Sequence, residues 1–407
     1  MIERMDAFNW RMLLSCNWVA VFLIATFFTL PVSSTGKSIS MALAIIAIVF
    51  NPENRQVFPE ILKQAWCKWA LALFAWALLA CLWSPASMSG KLFVVEKYSK
   101  LLYLPLLVAG LRDAKLRLYC LNAFLAATLL TSVIAIGKFY GYLSFLKVNP
   151  EHVFRNHIMT GFMVSFACYM ALYFFARPRK SPLISLSYLT LALIYSWHVL
   201  FVNGGRTGYI IFFLLMTLLL VQLLPLKKAL VGVLGIALLA VTLFQFNENI
   251  NQRVNAIAHE WHNYQHNQKG SSVGFRLQFH DFAQKLFIQH PIFGNGTSSF
   301  TYNFRILNPI PEWGHGLLEP HGQYWLTAAE FGVTGLILLA MLYLSLLKVI
   351  WRLHSTRIIG LGIMIPFLIG NLTDSLMFYS GSGYFFLLFM AICMGEAVER
   401  QTKVLLK

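Results

Sequence analysis

Residues 320–349 read PHGQYWLTAAEFGVTGLILLAMLYLSLLKV: a histidine, a short polar and aromatic approach, then a long apolar run. From Leu326 to Val349 the run is long enough to cross a bilayer as a helix. Runs of this kind recur along the chain. With 58% hydrophobic residues, 12% charged and a mean hydropathy of +0.64, the composition is that of an integral membrane protein, not a soluble globule. Apolar stretches near twenty residues, bounded by charge or by Gly and Pro, point to helices, because barrel strands would alternate.

The expectation is therefore an all-α integral membrane protein with about twelve transmembrane helices, their cores at 12–30, 39–50, 69–83, 92–111, 118–136, 158–176, 183–202, 208–224, 229–246, 326–349, 358–375 and 382–395. The first run follows Arg4 and Arg11 and is too long for a signal-peptide core, so it reads as a retained anchor. The fourth carries Glu96, Lys97 and Lys100, which predicts an irregular or partly interfacial helix facing the bundle interior. Three regions follow: 1–246 with helices 1 to 9, 247–325 as one large outward loop, and 326–407 with helices 10 to 12 and a tail.

A net charge of +16 invites a nucleic-acid reading, but its distribution argues otherwise. Arg4, Arg11, Arg55, Lys63, Lys68, Arg112, Lys115, Arg117, Arg177, Arg179, Lys180, Lys227, Lys228, Lys348, Arg352, Arg357, Arg400, Lys403 and Lys407 fall in alternate loops, 19 of the 32 basic residues. That is the positive-inside pattern, and it accounts for most of the excess without a nucleic acid. An even span count with these loops inside puts both termini in the cytoplasm. The segments holding Lys37, Lys91, 138–157, Arg206, the large loop and Asp374 then face outward, into the periplasm if the membrane is a bacterial inner membrane. The six cysteines, Cys16, Cys67, Cys81, Cys120, Cys168 and Cys393, lie in or beside apolar runs and suggest neither a disulfide framework nor a thiolate metal site.

The large loop holds seven of the eleven histidines: His259, His262, His266, His280, His290, His315 and His321. Within it, Phe275, Phe279, Phe282 and Leu286 space an apolar stripe over an amphipathic helix at 273–289, suited to lie on the membrane surface and close over a cavity. Pro291 and Gly294-Asn295-Gly296 end it.

Three residues stand out chemically. Arg206, in Asn203-Gly204-Gly205-Arg206-Thr207-Gly208 at an outer helix break, offers a planar fork suited to phosphate, with glycines that favour close backbone approach. The bland alternative is an arginine snorkelling to the interface. Arg276, just after Ser271-Ser272-Val273-Gly274, joins a cation to a helix N-terminus, a ready anion site. His321 can take a proton near neutral pH, as a hydroxyl nucleophile requires. Metal readings compete: His315, Glu319 and His321 form one possible ligand set, and His259, His262 and His266 have helical spacing. Lys138, Lys147, Arg155 and His157 could hold an anionic acceptor or mark a wet helix end, and His280 shares a neighbouring face with Arg276. No nucleotide loop, nucleophile elbow or paired-carboxylate motif is evident.

The span count, the large loop before the tenth span, Gly205-Arg206-Thr207-Gly208, and His321 followed by Gly332 and Gly335 together resemble the O-antigen ligase/polymerase superfamily, and most closely its O-antigen ligases. Ser271 to Gly296, with Arg276 and His290-Pro291-Ile292-Phe293-Gly294, also resembles the superfamily's loop. Gly322 departs from the pattern, standing where an amide or hydroxyl side chain is usual. The resemblance implies a GT-C-like inverting glycosyltransferase needing neither metal nor ATP. It implies an undecaprenyl-diphosphate-linked O-antigen as donor and a sugar hydroxyl of the lipid A–core as acceptor. His321 would be catalytic, Arg206 and Arg276 would bind the donor diphosphate, and His315, Glu319, Arg155, His157, Lys138 and His280 would be second-shell or acceptor-binding. The rival within the superfamily is a polymerase acting on lipid-linked repeat units. A secondary transporter is more distant, since the two halves of the chain show no related repeat.

Overall fold

The computed structural model describes residues 17–145, 147–178, 181–246 and 248–405. Arg4, Arg11, Cys16, Arg179, Lys180 and Lys407 lie outside them, as does the start of the first expected span. The described residues are 78% helix and contain no strand. In chain order the helices are α1 (Trp18–Val32), α2 (Ser34–Phe50), α3 (Pro52–Arg55), α4 (Phe58–Lys63), α5 (Ala65–Leu79), α6 (Met88–Gly110), α7 (Ala114–Phe139), α8 (His157–Ala176), α9 (Pro182–Trp197, continued by a π turn at His198–Val202), α10 (Arg206–Leu223), α11 (Leu226–Phe246), α12 (Glu248–Gln265), α13 (Ser272–Gln289), α14 (Ser299–Leu307), α15 (Gln323–Trp351), α16 (Arg357–Gly370) and α17 (Ser380–Leu405).

Each expected core overlaps one of these helices. Length and apolarity alone support a smaller number of crossings. Among the described residues six helices qualify (α7, α8, α9 with its π turn, α10, α15 and α17), or seven if α2 and the α3–α4 segment, bent by 81°, form one span. Helices α1, α5 and α16 are apolar but shorter. The chain is a multi-pass membrane protein.

Local sequence fixes many of the helix ends. Asn17, Ser33, Ser87, Asp113 and Asn156 each turn a side-chain oxygen onto a first-turn amide, satisfying donors that a helix start leaves open. Helices α8 and α17 form the centre, each with 83% of its membrane-length window buried. Phe124 of α7 interlocks with Phe166 of α8 and Phe385 and Phe389 of α17, edge to face at 4.8 to 5.6 Å except for the stacked Phe124–Phe385 pair at 5.8 Å.

Three expectations need correction. The run with Glu96, Lys97 and Lys100 is one continuous helix, α6, rather than an irregular one; Lys100 does face the interior, 1% exposed. The large loop, expected to be partly helical with one helix at 273–289, holds two more, α12 and α14, beside α13. The apolar stripe of α13 does not lie on lipid: Phe279, Phe282 and Leu286 are buried, and Phe279 and Phe282 pack on Phe304, Phe300 and Trp313. A ready-made aromatic partner in α14 outcompetes the membrane for that face.

Helix α15 breaks at Gly332 (φ 64°, ψ −161°). Segment 291–296 crosses the break: the amides of Val333 and Thr334 donate to the carbonyls of Pro291 and Ile292, and those of Asn295 and Gly296 to Ala329 and Glu330. A Cβ on Gly332 would stand 2.4 Å from the Ile292 carbonyl oxygen, and one on Gly294 (φ 73°) 2.3 Å from that of Glu330. Only glycine permits both the contact and the left-handed backbone. The first part of α15, bearing His321 at its entrance, is thereby locked to the end of α13.

Candidate active site

His321 sits immediately before α15 with φ 52°, a left-handed conformation costly for a residue with a side chain. Two contacts hold it. Its amide donates to Glu319 Oε2 at 2.6 Å, and its carbonyl accepts from His280 Nε2 at 3.0 Å. The ring lies near Phe279, and its Nδ1 stands 3.2 Å from Glu319 Oε1 and 3.7 Å from Asp374 Oδ1. Tyr379 donates its hydroxyl to Glu319 Oε1 at 2.8 Å. Burial draws the imidazole pKa down, but Asp374 and Glu319 outweigh it and hold His321 above the ordinary value of 6.5. A carboxylate at Nδ1 fixes the proton there and leaves Nε2 as the basic nitrogen.

The segment carrying Asp374 and Tyr379 is pinned from below. Lys100 donates to the carbonyls of Met377, Phe378 and Tyr379 at 2.6, 3.0 and 3.2 Å. Gln323 accepts from the Phe378 amide at 3.0 Å, and its own amide donates to Asn371 O at 2.9 Å. A charge in the middle of α6 thus serves as a peg for the turn that faces the histidine.

His280 explains Gly322. A Cβ at 322 would meet His280 Nε2 at 2.9 Å, so any larger residue would evict the ring that braces His321. Burial, the largest influence, keeps the His280 pKa below its ordinary value, and a neutral ring with its proton on Nε2 is what the His321 carbonyl requires.

Arg206 opens α10. Its turn is set by Asn203, whose Oδ1 accepts from the Gly205 amide at 2.9 Å while Nδ2 donates to His157 O at 3.2 Å. The glycines here meet protein. Gly208 crosses Gly161 of α8, where a Cβ would come within 2.9 Å of the Gly208 Cα, and Gly205 lies against the His157 ring. Arg206 donates to Glu260 Oε1 at 2.7 Å, and Glu260 Oε2 accepts from the Val273 amide in the first turn of α13 at 2.9 Å. Although burial raises it, the Glu260 pKa is held below the usual carboxylate value by Arg206 and that amide. The anion at the α13 N-terminus is therefore Glu260. Arg276, one turn on, has no hydrogen-bonded or ion-paired partner among the described residues, while its charge acts on Glu260, His280 and His321 alike. The structure thus links Arg206, Arg276 and His321 through Glu260 and the start of α13.

The remaining candidates divide. Arg155 lines a cavity of about 460 Å³ together with His321, Asp374 and Tyr379. His157 stands beside the Arg206 turn. His315 instead faces the Arg305 carbonyl at 2.8 Å, and Lys138 donates to Ser144 O at 3.1 Å in its own loop. Of the expected ligand sets, neither assembles among the described residues: His262 and His266 meet at a tilt on an exposed face, and His315 is apart from Glu319 and His321. A different trio, Glu319, His321 and Asp374, has ligand atoms within 4.8 Å of one another. Sequence inspection passed over Glu260 and Tyr379 and left Asp374 ambiguous. Only the pairing across distant segments exposes them.

Residues 191–340 match the family model described as O-Antigen ligase. Over that stretch the chain is similar to the O-antigen ligase family. The matched stretch runs from within α9 into α15 and contains Arg206, Glu260, Arg276, His280, Glu319 and His321, whereas Arg155, Asp374 and Tyr379 lie outside it. No curated protein matches the chain. The family implies a glycan-transferring activity of ligase or polymerase type on lipid-linked substrates.

Proposed function

We propose that the protein transfers an O-antigen glycan from undecaprenyl diphosphate to a sugar hydroxyl of lipid A–core, on the periplasmic side of a Gram-negative inner membrane. The chain crosses that membrane twelve times, with both termini cytoplasmic and residues 247–325 outside as a helical cap. The observation that carries the reading is an imidazole whose Nδ1 faces two carboxylates, beside an arginine, Arg276, that forms no ion pair among the described residues.

The acceptor hydroxyl gives its proton to His321 Nε2 as its oxygen bonds the anomeric carbon. The bond from that carbon to phosphate breaks, and the diphosphate leaves with the electron pair, inverting the centre. Arg276 and Arg206 stabilise the departing charge, where donors aimed at developing charge contribute most. Glu260 holds the Arg206 fork in place, and Asp374 and Glu319 stabilise the imidazolium. The transferred bond's energy comes from the donor, so no nucleotide enters.

The trio of Glu319, His321 and Asp374 offers a metal alternative, but its donors are largely committed. Both Glu319 oxygens accept protein hydrogen bonds, and Asp374 Oδ1 accepts from the Ser375 amide at 2.9 Å. The test is transfer by purified protein from lipid-linked glycan to core lipid. His321→Ala should insert normally and abolish transfer; full attachment by that variant would remove the imidazole from the mechanism. Elongated lipid-linked glycan with bare core would point to the polymerase reading.

A further inference from the structure

Across the cavity from His321 lies a second concentration of positive charge. Lys37, one turn into α2, is only 4% exposed. Among the described residues its ammonium finds no carboxylate and no hydrogen-bond acceptor; it rests 3.9 Å from the Tyr384 ring centroid and feels the like charges of Arg155 and Lys97. Burying an ammonium without an anion is costly, and a cation–π contact returns only part of the loss. Arg155, also without a carboxylate partner, reaches Ser34 Oγ and donates to the Leu30 carbonyl at 2.6 Å, with Nε buried and unpaired. Glu96, the nearby acid, is 71% exposed and pairs loosely with Lys97.

Arg155 stands in the cavity lining, and Lys37 lies one helical turn behind it. Ser34, one turn before Lys37, and Ser380 and Gly381, one turn before Tyr384, line the cavity that holds Arg155, Asp374 and His321. The first residues of α17 form that wall, and a helix start presents amides without intrahelical acceptors and a positive dipole end. An arginine lacking a carboxylate and a long helix's N-terminus thus line a space that opens onto the imidazole, and a buried lysine lacking an acceptor stands one turn behind Ser34 in its wall.

We propose that this wall is an anion subsite for the acceptor: the lipid-borne oligosaccharide carries a phosphate or carboxylate that docks on Lys37, Arg155 and the start of α17, placing its neutral hydroxyl at His321. The inference rests on the transferase reading and adds to it the chemical class of the acceptor. It also assigns Arg206 and Arg276 to the donor and Lys37 and Arg155 to the acceptor, on opposite sides of one base.

The test measures binding and transfer separately, with full-length protein in proteoliposomes. Two acceptor lipids are compared, one with its native phosphorylated core and one dephosphorylated. Wild type should bind the phosphorylated acceptor about ten-fold more tightly, the scale of one charge-assisted contact. Lys37→Met should collapse that preference towards one while the KM for the lipid-linked donor holds, and Lys37→Arg should retain it. Gly381→Asp, where a Cβ meets nothing closer than Met159 Cγ at 3.8 Å, puts a carboxylate on the wall and should abolish the preference without disturbing packing. Equal binding of both acceptors by wild type, or an undiminished preference in Lys37→Met and Gly381→Asp, would overturn the subsite. Wild-type binding with the expected preference but no glycan transfer would instead sink the transferase reading and leave the subsite standing.

Discussion

Glu319→Gln changes one atom in the most constrained part of the site. The carboxylate accepts from the His321 amide at 2.6 Å through one oxygen, and through the other accepts from Tyr379 and faces His321 Nδ1 at 3.2 Å. Glutamine can supply one acceptor. If its oxygen stays on the backbone amide, its NH₂ points at Nδ1, and the imidazole must accept there and carry its proton on Nε2. That is the wrong tautomer for a base. Asp374, 3.7 Å from Nδ1, still favours the correct one, which limits the damage. The balance predicts a kcat lower by about 10- to 100-fold, the usual effect of losing a group that orients a functional histidine. Stability should fall by about 1 to 2 kcal/mol through the weakened charge-assisted bonds. Single-turnover transfer from lipid-linked glycan, followed by the gel shift of the core lipid, measures the rate directly. The variant should also lose one of the carboxylates that raise the His321 pKa, moving the acid limb of its pH profile to lower pH. Wild-type kcat with an unmoved acid limb would refute the assignment of Glu319 as the residue that orients the base.

Other outcomes follow from the same geometry. In wild type, transfer should fail as pH drops through a value above 6.5, because the carboxylates keep His321 protonated longer; Asp374→Asn should shift that limb downward in a pH–rate series. Arg206→Lys keeps charge but loses the planar guanidinium that donates to Glu260, and should reduce kcat/KM for the donor by about ten-fold or more, measured against donor concentration. Gly332→Ala forces a Cβ to 2.4 Å from a carbonyl in a left-handed backbone, and should cost about 1 to 3 kcal/mol, seen as a lower melting temperature and faster proteolysis near residue 292. EDTA treatment should leave the rate of the purified protein unchanged, and loss restored by a divalent ion would revive the metal alternative.

The parts of this architecture that depend on local pattern were legible. Apolar runs became helices, and the helix expected at 273–289 is α13, capped by Ser271 through the Gly274 amide at 3.1 Å. What depends on segments meeting in space was not. Asp374 and His321 are separated by a whole helix hairpin, and Glu260 reaches Arg206 from another helix, so no spacing rule connects them. The glycines around Arg206 were assigned to ligand approach because a sequence cannot say what approaches; here it is α8 and the His157 ring. The stripe on α13 has the same ambiguity, since lipid and Phe304 are equally acceptable partners for a phenylalanine.

Lys100 shows why a membrane chain keeps charges that look misplaced. In mid-span an ammonium is expensive unless every proton finds an acceptor. Here the three backbone carbonyls of 377–379 accept, and those same carbonyls belong to a turn that must project Asp374 and Tyr379 outward and would otherwise bury unpaired oxygens. Each group removes the penalty of the other, so the lysine and the irregular turn are stable only together. The same logic applies at Glu260, which satisfies Arg206 and the first turn of α13 at once. At Arg276 and Lys37 it fails: among the described residues neither cation forms an ion pair or a hydrogen bond. Under the proposed transfer, these two unmatched cations are where substrate anions would complete the arrangement.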